Sequence, residues 1–333
     1  MCRFMVVVLL LLGPLVRFCT GQEFQASPFS LSDQVVNGGT YAGIRLLGAL
    51  RLPRTEISGT KLCGLSGLAW DEDAELLYAI SDGGALFHLK PEFDDRGYLR
   101  DVHLVQAHPL LDEAGNPLRE PYNDSEGLAI LNGDNGIPDD AKLLVSFELR
   151  PRVILYDSKG RWLGEEKIPA LLKDVRNYRD TNKALEAVSV HSIWGVLVGT
   201  ELPLRNEPSG RVRIFAGDGR SWVYPLSDAP RSALVAFEAL PEGGLLTLER
   251  AFVAPILPFV ISLRRTEALL PGMEAPLKVT DVAIFNSSQG WHLDNFEGLT
   301  HYRDRRFFMV SDDNCIFFQK TLLVQFELLS VSP

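Results

Sequence analysis

The stretch Leu65-Ser66-Gly67-Leu68 returns, with variations, as Ser125-Glu126-Gly127-Leu128, Leu185-Glu186-Ala187-Val188, Phe237-Glu238-Ala239-Leu240 and Phe296-Glu297-Gly298-Leu299. Each copy sets an acid, or once a serine, before Gly or Ala and then an aliphatic residue. The copies are spaced by 60, 60, 52 and 59 residues. A period of this size, with strand-like sequence between the copies, marks a repeat architecture.

Outward from each copy the chain runs through a short strand, a turn and a second strand with a polar or acidic end. The second strands are expected at 76–82, 143–148, 195–201, 245–249 and 307–312, with Asp, Gly, Asn and Pro in the turns as hairpins require. Third strands fit 85–89, 152–156, 212–215, 259–263 and 322–328. Fourth strands fit 99–106, 164–168, 221–225 and 278–285. Four strands per repeat make one propeller blade. The fifth repeat has only three, and the strand-like segment 44–52, which precedes the first motif, supplies its fourth. The expectation is an all-β, five-bladed β-propeller closed by an N-terminal strand, with no open sheet edge between its first and last blades. Six blades are the alternative, for which the length leaves little room. Residues 169–184 read as a helix-like insertion before blade three.

The N-terminus sets the compartment. Residues 1–21 carry Arg3, an apolar run over 4–12 and a small-residue cleavage site ending at Gly21, the pattern of a secretory signal peptide. The run is shorter than the roughly 20 apolar residues of a membrane span, and no later stretch reaches that length. Arg17 and Phe18 argue against a lipoprotein site at Cys19. Residues 22–40 then form a flexible leader and 41–333 a single domain, secreted or periplasmic and monomeric. The formal charge is −10; loss of residues 1–21 removes Arg3 and Arg17 and no acid, leaving −12. Such a balance excludes nucleic acid as a partner, because phosphate backbones are bound by excess Lys and Arg.

In a propeller the first strand of each blade lines the axis, and the second runs antiparallel and returns to the same rim. Two rings of polar side chains are therefore expected at one mouth. The inner ring is Ser66, Glu126, Glu186, Glu238 and Glu297; the outer is Asp82, Glu148, Glu201, Glu249 and Asp312. Four glutamates facing one axis repel each other unless they take up protons or a cation. Calcium, which accepts six to eight oxygens at about 2.3–2.6 Å in loose geometry, suits the set. Zinc does not, since no His/Cys cluster accompanies the acids. The other reading is that the repeated acids cap strand entrances by accepting backbone hydrogen bonds.

Arg150, Arg205 and Arg250 each follow a second strand and are candidates to hold a phosphate or carboxylate beside the metal. With Asp82 and Asp312 they form the expected catalytic set. His191 and His301 read as packed side chains. No Gly-x-Ser-x-Gly elbow is present, which excludes that form of serine hydrolase. Cys63 and Cys315, the cysteines that remain after signal removal, fall on the same rim in blades that ring closure makes neighbours. They are expected to form a disulfide, with two free thiols as the alternative.

At Gly64-Leu65-Ser66-Gly67-Leu68-Ala69-Trp70, Leu77-Tyr78-Ala79-Ile80-Ser81-Asp82, Ser125-Glu126-Gly127-Leu128-Ala129, Asn295-Phe296-Glu297-Gly298-Leu299 and Ser311-Asp312-Asp313-Asn314 the chain resembles the secreted bacterial phytase-like family, "esterase-like activity of phytase". That resemblance implies ester or phosphoester hydrolysis. The pattern of one Ser and then Glu around a five-fold axis is also similar to calcium-activated nucleotidases, the apyrases, which implies a central calcium and hydrolysis of phosphate esters or anhydrides. Two functions follow as expectations: a calcium-dependent hydrolase of a small phosphate or carboxylate ester, or a non-catalytic binding propeller stapled by a structural calcium.

Overall fold

The computed structural model describes residues 24–252, 258–273 and 275–330. Four antiparallel sheets take their strands in chain order: Leu65–Asp71 to Leu99–Pro109, Ser125–Leu131 to Trp162–Glu165, Leu185–His191 to Ser221–Pro225, and Ser232–Ala239 to Val279–Asn286. The fifth sheet runs Asn295–His301, Arg306–Asp312 and Thr321–Leu328, and its fourth strand is Ile44–Leu52 from the other end of the chain. The chain is a five-bladed β-propeller closed by an N-terminal strand. The six-bladed alternative falls away, because every long strand is used in these five sheets.

Apolar side chains group between blades rather than in one central core. Five buried clusters lie at the interfaces of blades four and five, five and one, two and three, three and four, and one and two. Each blade thus buries both faces, which is why its inner strands read as nearly continuous Leu, Val, Ile, Phe and Ala. At the axis the inner strands of successive blades touch all the way round. The small residue of the motif follows from that approach. A Cβ on Gly67 would stand 2.7 Å from the Glu126 carbonyl oxygen, one on Gly127 2.7 Å from that of Glu186, and one on Gly298 2.6 Å from a Val310 methyl.

Segment boundaries moved in three places. The N-terminal segment expected to be a flexible leader is partly built in: Ser27–Pro28 pairs with Arg51 and Leu50 on the edge of blade five. In the same segment Leu31 is buried in the cluster between blades four and five, and Ser32 bridges to Trp291. Its alternating Phe29 and Leu31 supply the apolar face that such an edge needs. The last strand of blade two ends at Glu165 instead of 168, so that Ile168 enters the core. The insertion after it holds one helical turn, Ala170–Lys173, and a 3-10 turn, Val175–Asn177. The expected signal peptide at 1–21 lies outside the described residues.

Cys63 and Cys315 form a disulfide, Cα to Cα 5.1 Å, between the rim segments of blades one and five. It closes a loop of 252 residues, for which the chain-entropy model gives about 5 kcal/mol. Ring closure is therefore made twice, once by the Ile44–Leu52 strand and once by a covalent bond. The crowding at the axis gives a direct test. Replacement of Gly127 by Val should cost about 1–3 kcal/mol through overpacking, read as a lower urea midpoint at unchanged slope.

Candidate functional site: a carboxylate-walled axial mouth

The motif residue that faces the axis is set there by a β-bulge. In blade one Leu65 pairs with Ser81 and Gly67 with Ile80, so Ser66 is the extra residue. Register shifts at the corresponding place put Glu126 in blade two, Glu186 in blade three and Glu297 in blade five in the same role. A bulge breaks the two-residue alternation and re-aims one side chain, here into the channel mouth. The residue just beyond the partner strand's last pair then forms the outer ring: Asp82, Glu148, Glu201 and, opposite Asn295, Asp312.

Blade four departs from the expectation. Its shift falls between Leu234 and Ala236, so the axial residue is Val235, and the residue after the Leu234–Glu249 pair is Arg250. Glu238 stands near the end of the inner strand and lines the cavity at the opposite end of the channel with Thr300 and His301. There it accepts from the Ser189 hydroxyl at 3.4 Å. Burial pushes its pKa up to about 8. Glu249 also leaves the ring. It lies behind the mouth, where its carboxylate pairs with Arg264 at 2.8 Å and accepts from Tyr224, Ser232 and the Ser227 amide. The motif at 237–240 is thus a chance match offset by three residues from the bulge at Val235.

The mouth is a cavity of about 650 Å³ walled by Ser66, both surviving acid rings and Arg250. It also receives Asp124, Lys183 and Asp294, which stand outside the repeated motif. Asp124 and Asp294 precede Glu126 and Glu297 by two and three residues, and Lys183 precedes Glu186 by three. An acid or base two or three residues upstream of these three copies was the legible signal. Among the described residues the wall holds nine carboxylates and two cations.

Both cations are committed. Arg250 donates to Glu297 at 2.7 Å, to Glu201 at 2.8 Å and to the Asn295 side-chain oxygen. Lys183 binds both oxygens of Glu201, at 2.8 and 2.9 Å. The side toward Asp124 and Glu126 has no such help. There Asp124, Glu126 and Glu148 bring one oxygen each to within 4.8 Å of one another, and Glu148 also meets Glu186 and the cation-bound Glu201 within the same distance. Glu148 belongs to both sets and accepts from the Ala184 amide at 2.6 Å. No donor among the described residues reaches the Glu126 carboxylate.

Desolvation and then mutual repulsion hold the Glu126 and Glu186 carboxyls well above the ordinary range. Glu148 rises to about 8 by burial and by the charge of Glu201, and Glu297 to about 8 by burial against the opposing pull of Arg250. Asp312 rises to about 7 and Asp82 to about 6, both first by burial. Asp312 is tied by the Asn314 amide at 2.6 Å and Asn295 at 3.2 Å. The remaining expected residues lie elsewhere. Arg150 faces the ring of Tyr122, and Arg205 donates to the carbonyls of Arg176 and Tyr178, so neither reaches the mouth. His191 contacts the Gly243 carbonyl and His301 that of Asp304.

A five-bladed propeller with an axial mouth walled by carboxylates is the class that these features define. The chain belongs to the phytase-like family, described as esterase-like activity of phytase, which matches residues 60–315. Among solved structures it is similar to the β-propeller domain of Cps50 (Swd1) from Myceliophteria thermophila, at 11% identity and a TM-score of 0.39, over 92% of this chain and 100% of that one. No curated protein is similar to it at a significant level. Among the described residues no helix is long and apolar enough to cross a membrane.

The raised acids fix the pH dependence of the metal-free protein. A carboxyl whose folded pKa lies above its unfolded value binds protons in the folded state between the two, so stability is full below the lower value and is lost through the upper one. For Glu148 and Glu297 that window runs from 4.5 to about 8. The melting temperature measured in chelator should fall as pH rises across it, and Glu148→Gln should flatten the fall.

Proposed function

We propose that the mouth holds calcium on the side of blades two and three and hydrolyses a small phosphate or carboxylate ester, the chain acting as an exported monomer. The observation that carries the reading is the Glu126 carboxylate, buried beside Asp124 and Glu148 with no donor among the described residues, on a part of the wall that Lys183 and Arg250 do not neutralise. Oxygen-only ligands in a loose cluster fit a hard cation, and calcium tolerates their irregular placement. Asp124, Glu126, Glu148 and Glu186 would hold it. Ser66, the fifth blade's Glu297 and the outer Asp312 remain around the opening, while Glu238 has no part in it.

When bound, calcium supplies Lewis-acid polarisation of the ester oxygen. The chain's own residues supply the rest. Asp82, an acid on the same wall beside the Asp124 side, is placed to act as the base. It would take the proton of the attacking water; the new bond joins the water oxygen to phosphorus or to the acyl carbon, and the bond to the leaving alcohol breaks as that oxygen takes the proton back from Asp82. Arg250, held by Glu201 and Glu297, faces the opening as a fixed positive charge where negative charge develops.

Two measurements test this. Millimolar calcium should raise the melting temperature at neutral pH; Glu148→Gln, which touches both acid sets, should remove most of that rise, and Glu238→Gln should leave it intact. An unchanged melting temperature in the parent protein would overturn the calcium site and leave a propeller neutralised by protons and Arg250. Across a panel of esters, Asp82→Asn should lower kcat by about 10²–10⁴-fold while the calcium-induced rise persists. An Asp82→Asn variant that keeps the parent kcat would remove Asp82 from the role of base.

A further inference from the structure

The mouth has a second wall, and it is apolar. Opposite the acids of blades one to three it is lined by Phe252, Phe259, Leu293, Ile316 and Phe318. Phe318 is 66% exposed and Phe252 47%, the latter packed against Phe259 with ring centroids 5.2 Å apart. Large rings left in water beside a concave site mark a surface that gains by being covered.

The turn that carries Phe318 is fixed in place. Cys315 is tied to Cys63, and the Asp313 carboxylate accepts from the Gly64 and Cys315 amides and pairs with Arg54 at 2.6 Å. Asn314 and Cys315 both adopt left-handed backbone, φ 46° and 52°, a conformation that non-glycine residues keep only when their surroundings impose it. Gln319 reaches back to Asn314 and to Asp294 on the rim. Phe318 is therefore presented to the opening by a braced turn.

Charge narrows the ligand further. Arg250 and Lys183 already pair with Glu201 and Glu297, and the rest of the polar wall is acidic, so a ligand with many phosphates would meet net repulsion. One anionic group is what Arg250 and a bound cation can serve together. We propose that the substrate is an ester with a single anionic or ester head and an apolar aryl or alkyl body, the body lying on Phe318 and Phe252. This inference rests on the reading of the mouth as the ester site.

The test uses non-hydrolysable heads, so that it does not depend on turnover. With the full chain in saturating calcium, phenylphosphonate should bind at least about tenfold more tightly than methylphosphonate in calorimetric titration. The double variant Phe252→Ser, Phe318→Ser should bring the two affinities to within about twofold. Ile193→Ser, which alters an exposed apolar residue (69%) that does not line the mouth, should keep the preference. Equal affinities in the parent protein, or none for either ligand, would overturn the inference; so would a preference that the double variant leaves unchanged. Equal affinities together with binding to phosphatidylcholine vesicles that Phe317→Ser abolishes would reassign the rings to a lipid surface. A retained preference in a protein that turns over no ester overturns the hydrolase reading and leaves only the pairing of an anionic head with an apolar body, as the specificity of a binding site.

Discussion

Five inner strands have to pass one another around a single axis, and the closeness of that passage governs the rest of the molecule. With a Cβ at Gly67 or Gly127 the neighbouring strand's backbone would be met at 2.7 Å, so the position admits only the smallest residues. Beside it the bulge turns one side chain toward the axis, and the same geometry recurs in all five blades. A small residue that permits approach and a preceding residue that faces the channel are one structural unit. The repeat seen in the sequence is the trace of that unit. The acids themselves add nothing to the packing, and Val235 occupies the same place without disturbing it.

This separation explains what could be read from the sequence and what could not. Strand number, blade number and closure by residues 44–52 follow from apolar patterning and turns, which report on backbone geometry. Assigning Glu238 to the ring failed because Phe237-Glu238-Ala239-Leu240 matches the motif in letters while the bulge lies three residues earlier, at Leu234-Val235-Ala236. Glu249 failed with it, since one step of register moves a strand side chain to the other face. Arg250 was found, though as an accessory; only pairing shows that it stands where other blades carry Asp82, Glu148, Glu201 or Asp312. The neutralisation of Arg150 and Arg205 by loop carbonyls and a ring has no trace in spacing at all.

Blade four thus gives the mouth its asymmetry. With an acid at every position the axis would be close to five-fold symmetric, and any counter-charge would have to come from solvent. Val235 and Arg250 supply a fixed internal cation on one side, satisfied by Glu201 from blade three and Glu297 from blade five. The unsatisfied carboxylates are displaced toward blades two and three, and the apolar residues of blades four and five face them across the opening. Blade four thus brings a cation and two apolar rings, Phe252 and Phe259, to a mouth in which blades two, three and five place acids on the axis.

The disulfide has a topological consequence. Because Cys63 and Cys315 lie 252 positions apart, blades one to four and the first two strands of blade five lie within a covalent circle, and the strands of residues 44–52 and 321–328 lie outside it. A protease that cuts one surface loop anywhere inside the circle leaves the two pieces tethered at the rim and paired in the same sheets. Such a nicked molecule can keep its ring intact, and under non-reducing conditions it migrates as one chain. Cuts in the ends, before residue 63 or after 315, release a fragment instead, and loss of the Ile44–Leu52 strand opens the last blade while the circle still holds.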